Sequence, residues 1–430
     1  MVQSPDVKIE LKSRLFPALA VVFFLFQIFD PYKGWMALLI GVGGAWLLAF
    51  LWVRSLAAGL RFEREYRYGW AKVGDLMVER FYLSNKGWAE ALYVVVEDHS
   101  SLPGYQGDKV TSVAGRSVKS WVKRNYCNLR GLYTFGPTSL HSGDPFGIYR
   151  VSIEFPQSES VLVLPPVVTL PSISIAPGER VGEGRVQTFA LERSVSSASL
   201  REYVPGDNLR AIHWAQSARR DDLFVRVFDS THSSDWWIIL DLDRDAHIGV
   251  GESSTEEHAV ILAASLANRG WKMGRSVGLV AQGERNAWLP PKFGAAQYWE
   301  IMRSLALASP NSERLSRVLA RTQAALAQRT SVILITPAVD GEWLDALVAM
   351  MRRGIAITVL LLDRPAFGGE GDPNKALATL AAWGAKSYLV SPDVITMPDF
   401  RIDQEELATP ITSLDLDGRP PGPNGKPPRS

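Results

Sequence analysis

The sequence predicts an α+β chain of several domains, with a transmembrane helical hairpin first, an antiparallel β-sandwich second and an α/β unit third. Three observations carry that prediction. Two apolar runs lie within the first 53 residues, short Val-, Tyr- and Phe-rich stretches divided by Gly, Pro and Asn follow, and beyond Trp236 apolar runs alternate with helical ones. The length agrees, since 430 residues correspond to about three folding units at roughly 150 residues each. Composition excludes several classes. Hydrophobic residues at 47% against 21% charged can build cores, which a disordered acidic or basic chain cannot. Lysine and arginine number 46 and aspartate and glutamate 45, a net charge of +1 that leaves no positive excess for a nucleic-acid face. The single cysteine, Cys127, excludes an intramolecular disulfide framework and a cysteine-cluster zinc site, and the six histidines are scattered.

The hairpin comes from hydropathy. Leu15 to Phe29 reads LFPALAVVFFLFQIF, Asp30 to Gly34 interrupts, and Trp35 to Val53 reads WMALLIGVGGAWLLAFLWV. The second run is long enough for a hydrocarbon core of about 30 Å, whereas the first extends far enough only if Tyr32 and the stems of Lys12 and Arg14 lie at the interfaces. Spans over about 15–32 and 35–53 are expected inside an anchor covering 1–59, entering and leaving the lipid bilayer on one side. Tyr32 and Trp35 at the tip suit a headgroup belt. Lys8, Lys12 and Arg14 precede the hairpin and Arg54, Arg61, Arg64 and Arg67 follow it, while the tip has only Lys33. That asymmetry places both flanks in the cytosol. A cleaved signal peptide and a buried core hairpin are the alternatives, and the former fits less well because a polar tip and a second apolar run follow the first run.

Residues 60–170 read as the sandwich: LMVERFYL, AEALYVVVED and ESVLVLP are separated by turn-forming groups such as Asn85-Lys86-Gly87 and Pro103-Gly104. Residues 171–235 read as a linker followed by a dense block of polar and aromatic residues. From 236 to 395 the runs WWIILDLD, RSVGLVAQ, SVILITP, IAITVLLLD and AKSYLVS alternate with helices expected at Thr255–Arg269, Ala295–Ala306, Ser312–Gln328, Glu342–Arg353 and Asn374–Trp383. That alternation makes a mostly parallel sheet covered on both faces. Residues 396–430 form a Pro- and Gly-rich tail.

Three constellations invite chemistry. In the first, running from Arg201 to Arg220, Pro205-Gly206 makes a turn and Asp207 is placed to cap a helix reaching about Arg219. Arg210, His213, Trp214 and Ser217 share a face of that helix. Ser217 as nucleophile, His213 as base and Asp207 as orienter is one reading; an internal arginine–aspartate brace with Trp214 as a seal, or a docking surface, are others. The second is Asp241, Asp243 and Asp245 after a buried strand, where oxygen ligands would suit magnesium or calcium, or where the turn is simply solvated. The third, Arg130 to Pro137 with Asp144 to Tyr149, reads as architecture: glycines and prolines fix turns while aromatics fill a core.

Together these stretches resemble a bacterial family catalogued as domain of unknown function number fifty-eight. The resemblance is carried by two early apolar spans; by Arg130, Gly131 and Tyr133; by Asp144 to Gly147; and by Arg201, Tyr203, Gly206, Asp207, Arg210, Trp214, Ala218 and Arg219. It implies that the carboxyl-terminal unit is an α/β von Willebrand factor A-like (Rossmann-like) domain, a class that often binds magnesium through an Asp-x-Ser-x-Ser motif. Asp241 matches the leading aspartate, Asp243 and Asp245 replace both serines, and Pro337 stands where many such domains place a further aspartate, with Asp340 as a possible substitute. The resemblance also implies MoxR-type AAA+ ATPases and other von Willebrand-type proteins as partners.

Three functions are therefore open. A non-enzymatic scaffold or adaptor of the bacterial inner membrane, multi-pass and working with such an ATPase, is the leading expectation. A divalent-cation-dependent ligand-binding module and a membrane-proximal hydrolase using His213 and Asp207 are the alternatives. The sequence contains no Walker A loop, nucleophile elbow or His-Glu-x-x-His motif to favour the last.

Overall fold

The computed structural model describes residues 5–66, 69–178, 199–202, 217–218, 222–227, 235–326 and 330–395. They fall into two units: residues up to 128 with 132–163, and residues 129–131 with those from 164 onward.

The first unit opens with a strand, β1 (Asp6–Leu11), where the sequence reading placed only a segment leading to the anchor. The alternation of Val7, Ile9 and Leu11 with Asp6, Lys8 and Glu10 is a strand period, and it pairs antiparallel with β9 (Tyr149–Phe155), Leu11 opposite Tyr149. Helices α1 (Leu15–Phe29) and α2 (Lys33–Gly59) follow. Of the two expected spans, α2 alone is long and apolar enough to cross a membrane, and it is not a buried core helix, since only 11% of its most apolar stretch is buried. With 15 residues, α1 extends about 22 Å, short of a hydrocarbon core of about 30 Å. Helix lengths therefore do not support a multi-pass arrangement.

Helix α2 runs directly into β2 (Leu60–Tyr66), and its last turns belong to the sandwich core. Val53, Leu56 and Leu60 are fully buried with Phe81, Leu83, Val94, Val96 and Leu140. Further strands are β3 (Trp70–Lys72), β4 (Leu76–Asn85), β5 (Ala91–Ser100), β6 (Lys109–Val113), β7 (Ser117–Tyr126), β8 (Gly131–Gly143) and β10 (Glu159–Leu164). They make two sheets. One is β2-β4-β7; the other runs β1-β9-β8-β10-β3, with β5 pairing both β8 and β6. Phe62, Phe81 and Trp121 pack between them, Phe81 and Trp121 stacked at 5.5 Å.

The unit boundary falls at Leu164, a few residues before the expected one. The stretch after it is not a free linker up to residue 178. Ala176 N–H donates to Thr358 Oγ1 at 2.9 Å, Ser331 Oγ donates to Ala176 O at 2.7 Å, and Arg269 donates to Ile173 O at 2.7 Å. These bonds strap it across the amino ends of the second unit's strands. A two-stranded ladder, β11 (Ser199–Glu202) with β12 (Phe224–Val227), follows.

The main sheet contains β13 (Trp236–Leu240), β14 (Val277–Gln282), β15 (Asn286–Lys292), β16 (Ser331–Thr336), β17 (Ala356–Leu362) and β18 (Lys386–Val390). Its order is β15-β14-β13-β16-β17-β18, all parallel except β15, which pairs antiparallel with β14. Strand β15, absent from the sequence reading, carries Pro290 and Pro291, which an edge strand tolerates and which hide its strand character. Every residue of β13 is buried, as expected for a central strand covered on both faces. Helices α3 (Thr255–Lys272) and α4 (Ala295–Ala306) lie near β13 and β14. Helices α5 (Leu315–Ala325), α6 (Trp343–Arg352) and α7 (Pro373–Ala382) contribute Leu319, Leu347 and Leu380 to a core with Trp237, Ile239 and Leu334. Ser254 caps α3 by accepting from Glu257 N–H at 3.1 Å, and Asp372 caps α7 ahead of Pro373.

Candidate functional site

The five parallel strands stand in the order second, first, third, fourth, fifth. The chain thus reverses direction across the sheet between β13 and β16, and ligands of such sheets bind outside the carboxyl ends at that switch point. Asp241 and Thr336 sit there, at the ends of β13 and β16. Asp241 is 2% exposed, so it is not part of a solvated turn. One carboxylate oxygen accepts from Thr336 Oγ1 at 2.6 Å and the other from Asp243 N–H at 3.0 Å. Thr336 Oγ1 in turn accepts from Ala338 N–H at 2.9 Å. His247 reaches back, with Nε2 2.9 Å from the Asp241 carbonyl and Nδ1 3.1 Å from Thr255 Oγ1. A carbonyl only accepts, so Nε2 carries the proton there. Thr255 Oγ1 also accepts from Ile248 N–H at 2.8 Å.

Burial pushes the Asp241 carboxyl above the usual carboxylate range. The Thr336 and Asp243 hydrogen bonds and nearby His247 pull it back, and Asp243 adds to the rise. Asp243 is spent in the same turn, accepting from Asp245 N–H at 3.2 Å, while Asp245 itself is exposed. Arg244 leans on Glu284 and the Pro310 carbonyl, and Asn311 donates to Leu242 O and Gly283 O. Of the expected ligand trio Asp241, Asp243 and Asp245, the first two each accept from the backbone amide two residues on, as capping turns do. Among the described residues no three His, Cys, Asp or Glu side chains converge as a metal-binding group. Asp340 is exposed, in the loop after β16.

Most of the signature block lies outside the described residues: Tyr203, Gly206, Asp207, Arg210, His213, Trp214 and Arg219. Arg201 sits in β11 opposite Val225, and Ala218 is exposed. Ser217 is buried, and its Oγ accepts from Phe224 N–H at 2.9 Å, a tie to the start of β12.

Two further clusters gather residues expected in other roles, Arg130 in an architectural turn and Arg64 beside the hairpin. Arg130, 7% exposed, donates to Leu305 O at 3.0 Å and Ala308 O at 2.7 Å and pairs with Glu256 and Glu257. One guanidinium thus serves the end of α4 and the acidic first turn of α3. Inside the sandwich, Arg64 approaches Glu79 at 3.6 Å and contacts Asp98, lying 5.2 Å from the Phe81 ring centre. Tyr105 and Thr138 donate to Asp98 at 2.5 and 2.7 Å, and Asn125 donates to Glu79 at 3.3 Å. Burial raises the Glu79 carboxyl from 4.5 to about 7, with Asp98 adding to the rise and Arg64 opposing it. Arg64, counted above among the cations flanking the hairpin, is in fact an internal counter-ion.

The second unit is thus a doubly wound α/β domain whose switch-point aspartate is held by the protein itself. A family model described as "Protein of unknown function DUF58" matches residues 199–366, from β11 into the loop after β17. The chain is 26% identical over 300 residues to the uncharacterized protein YeaD of Bacillus subtilis, covering 67% of this chain and 69% of the relative. It is likewise 26% identical over 107 residues to the uncharacterized protein Rv1480 of Mycobacterium tuberculosis, 25% of this chain and 34% of that protein. Among solved structures, an aerotolerance-related membrane protein from Bacteroides fragilis aligns over 40% of this chain and 96% of its own, at 16% identity and a TM-score of 0.29. A CARDB domain from Pyrococcus furiosus aligns over 25% of this chain and 90% of its own, at 10% identity and a TM-score of 0.18. Neither score is high enough to argue a shared fold.

Proposed function

We propose that the protein is a non-enzymatic scaffold or adaptor of the bacterial cytoplasmic membrane. In this reading α1, too short to cross alone, is completed by Tyr32 and the stems of Lys12 and Arg14. The helical hairpin thus sits in the bilayer with both flanks cytosolic, and a von Willebrand factor A-like α/β unit receives a MoxR-type AAA+ ATPase. The observation that carries the reading is the continuity of α2 with the sandwich. Its outward apolar length and the buried Val53 and Leu56 are one helix, so the tether is fixed to the folded unit rather than hung on a linker. Tethering raises the effective concentration of partners that share the membrane. Support for the α/β class comes from the strand order, its antiparallel edge strand β15, and Asp241 at the switch point. Pull-down from detergent-solubilised membranes tests the partnership: recovery of an ATPase of that type supports it, and repeated recovery of this protein alone rejects it.

One observation favours a second reading. A carboxylate and a hydroxyl from the ends of two different strands, Asp241 and Thr336, meet at 2.6 Å, as they would to help hold a divalent cation. Against it, both oxygens of Asp241 already accept protein donors. Melting curves with magnesium and calcium for the wild type and Asp241→Ala decide between them. A cation-dependent rise confined to the wild type supports a cation-dependent ligand-binding module, and equal curves reject it.

A further inference from the structure

The hairpin and the sandwich end overlap in height, and that overlap has a consequence for what touches lipid. On α1, Phe16 contacts Phe146 of the Asp144–Gly147 turn, with ring centres 6.5 Å apart. On α2, Trp46 Nε1 donates to Tyr149 Oη at 2.7 Å, and Phe50 packs edge-on to the same ring. From these contacts to the polar tip, Phe16 to Asp30 and Trp46 to Lys33, each helix rises only about 20 Å. The charged tip residues Asp30 and Lys33 would stop well inside a hydrocarbon core of about 30 Å if the sandwich remained wholly outside it.

Helix α2 itself marks a lower boundary. Between Lys33 and Arg54 it carries no charged residue, and that interval measures about 31 Å, the thickness of the core. Its final third runs beside the sandwich yet keeps an apolar outer side: Leu47, Leu48 and Leu51 are exposed. At the same end of the sandwich Phe146 is 52% and Leu11 41% exposed, with Ile9 two residues further from the hairpin. Asp144 locks the turn that presents Phe146, accepting from Phe146 N–H at 2.8 Å and Tyr149 N–H at 2.5 Å. Exposed Lys12 and Arg14 stand beside this edge, with stems long enough to bring their charges to headgroup phosphates.

We propose that the near leaflet of the bilayer contacts the sandwich as well as the hairpin. The Leu11 end of β1 and the Phe146 turn sit about 10 Å inside the headgroup–acyl boundary, among the acyl chains of the near leaflet, so that Arg54 lies at that boundary and the hairpin tip reaches the far interface. The inference rests on the membrane reading above but adds a surface to it. Burial at the boundary falls off along β1 at about 3.3 Å per residue, from Leu11 through Ile9 to Val7.

The test uses the full chain in vesicles of phosphatidylethanolamine and phosphatidylglycerol. An environment-sensitive fluorophore is placed singly at Leu11→Cys, Ile9→Cys, Val7→Cys, Phe146→Cys, Leu38→Cys in the hairpin and Val118→Cys, an exposed position on β7. The buried Cys127 is left in place, and the unsubstituted chain serves as the labelling blank. Lipids carrying a nitroxide part-way down the acyl chain should quench positions 11 and 146 several-fold more than 118, with 9 and then 7 falling between. Lipids with the nitroxide near the chain end should quench 38. Quenching at 38 without quenching at 11 and 146 overturns the seating while leaving the tether intact. No quenching at 38 removes the membrane reading itself. Shielding of 9 and 11 from both nitroxide lipid and aqueous iodide means that a second copy of the chain covers this edge, which also overturns the proposal.

Discussion

Glu79 is the residue whose chemistry departs furthest from its ordinary behaviour while staying within a testable range. Its carboxyl is fully buried between Arg64, Asp98, Tyr105 and Asn125, and its pKa is raised from 4.5 to about 7. The folded chain therefore keeps a proton that the unfolded chain has released, and stability is lost as pH rises from 4.5 through about 7. The loss is on the order of 3 kcal/mol at most. Glu79→Gln should flatten that dependence: its melting temperature should hold steady where the wild type's declines. Arg130 makes a second prediction. Arg130→Met removes the guanidinium that pairs with Glu256 and Glu257 and donates to the Leu305 and Ala308 carbonyls, which costs about 3–5 kcal/mol in denaturant unfolding. Arg130→Lys should recover little, because one ammonium cannot reproduce the planar fork. Neither group stood out in the sequence as a site, yet parity along the strands points to the first cluster. Arg64 shares its inward register with Leu60 and Phe62, Glu79 with Phe81 and Leu83, and Asp98 with Val94 and Val96. The pairing of Arg64 with both acids depends on which strands face each other, and no local pattern states that.

At the scale of elements, apolar periodicity located the five parallel strands and the five helices α3 to α7 among the described residues of the second unit within a few residues, because each strand is a short buried run bounded by turns. It failed where a local rule was broken. Proline hid β15, and β1 lies in the stretch assigned to the anchor, just ahead of its much longer apolar run. The switch-point turn was legible as three aspartates but not as two caps, since the sequence carries no record that Thr336 and the backbone amides would meet Asp241 and Asp243. The junction of α2 with β2 makes the clearest prediction at this scale. A Cβ on Gly59 would lie 2.4 Å from Gly87 N and 2.8 Å from Gly87 Cα, both backbone atoms. Gly59→Ala should therefore destabilise the first unit by about 1–3 kcal/mol, as overpacking does, and chemical denaturation should show it. The substitution should also loosen the grip of the sandwich on α2, so protease cleavage near Ser55 should quicken.

For the whole molecule, we propose that an apolar hairpin, joined through α2 to the sandwich core, holds the folded body on the cytosolic side of a membrane. The outward face of α2 and the alternation of strands and helices were both readable as patterns. The height of the hairpin above the sandwich was not, because it depends on where α2 stops being tether and becomes core. Protease added to intact spheroplasts expressing the full chain with a carboxyl-terminal epitope tests the claim most directly. The account predicts that the epitope stays in the membrane fraction at full length until the membrane is opened, and is then released from the hairpin by cleavage. Loss of the epitope from intact spheroplasts, or its recovery in the soluble fraction without cleavage, would contradict it.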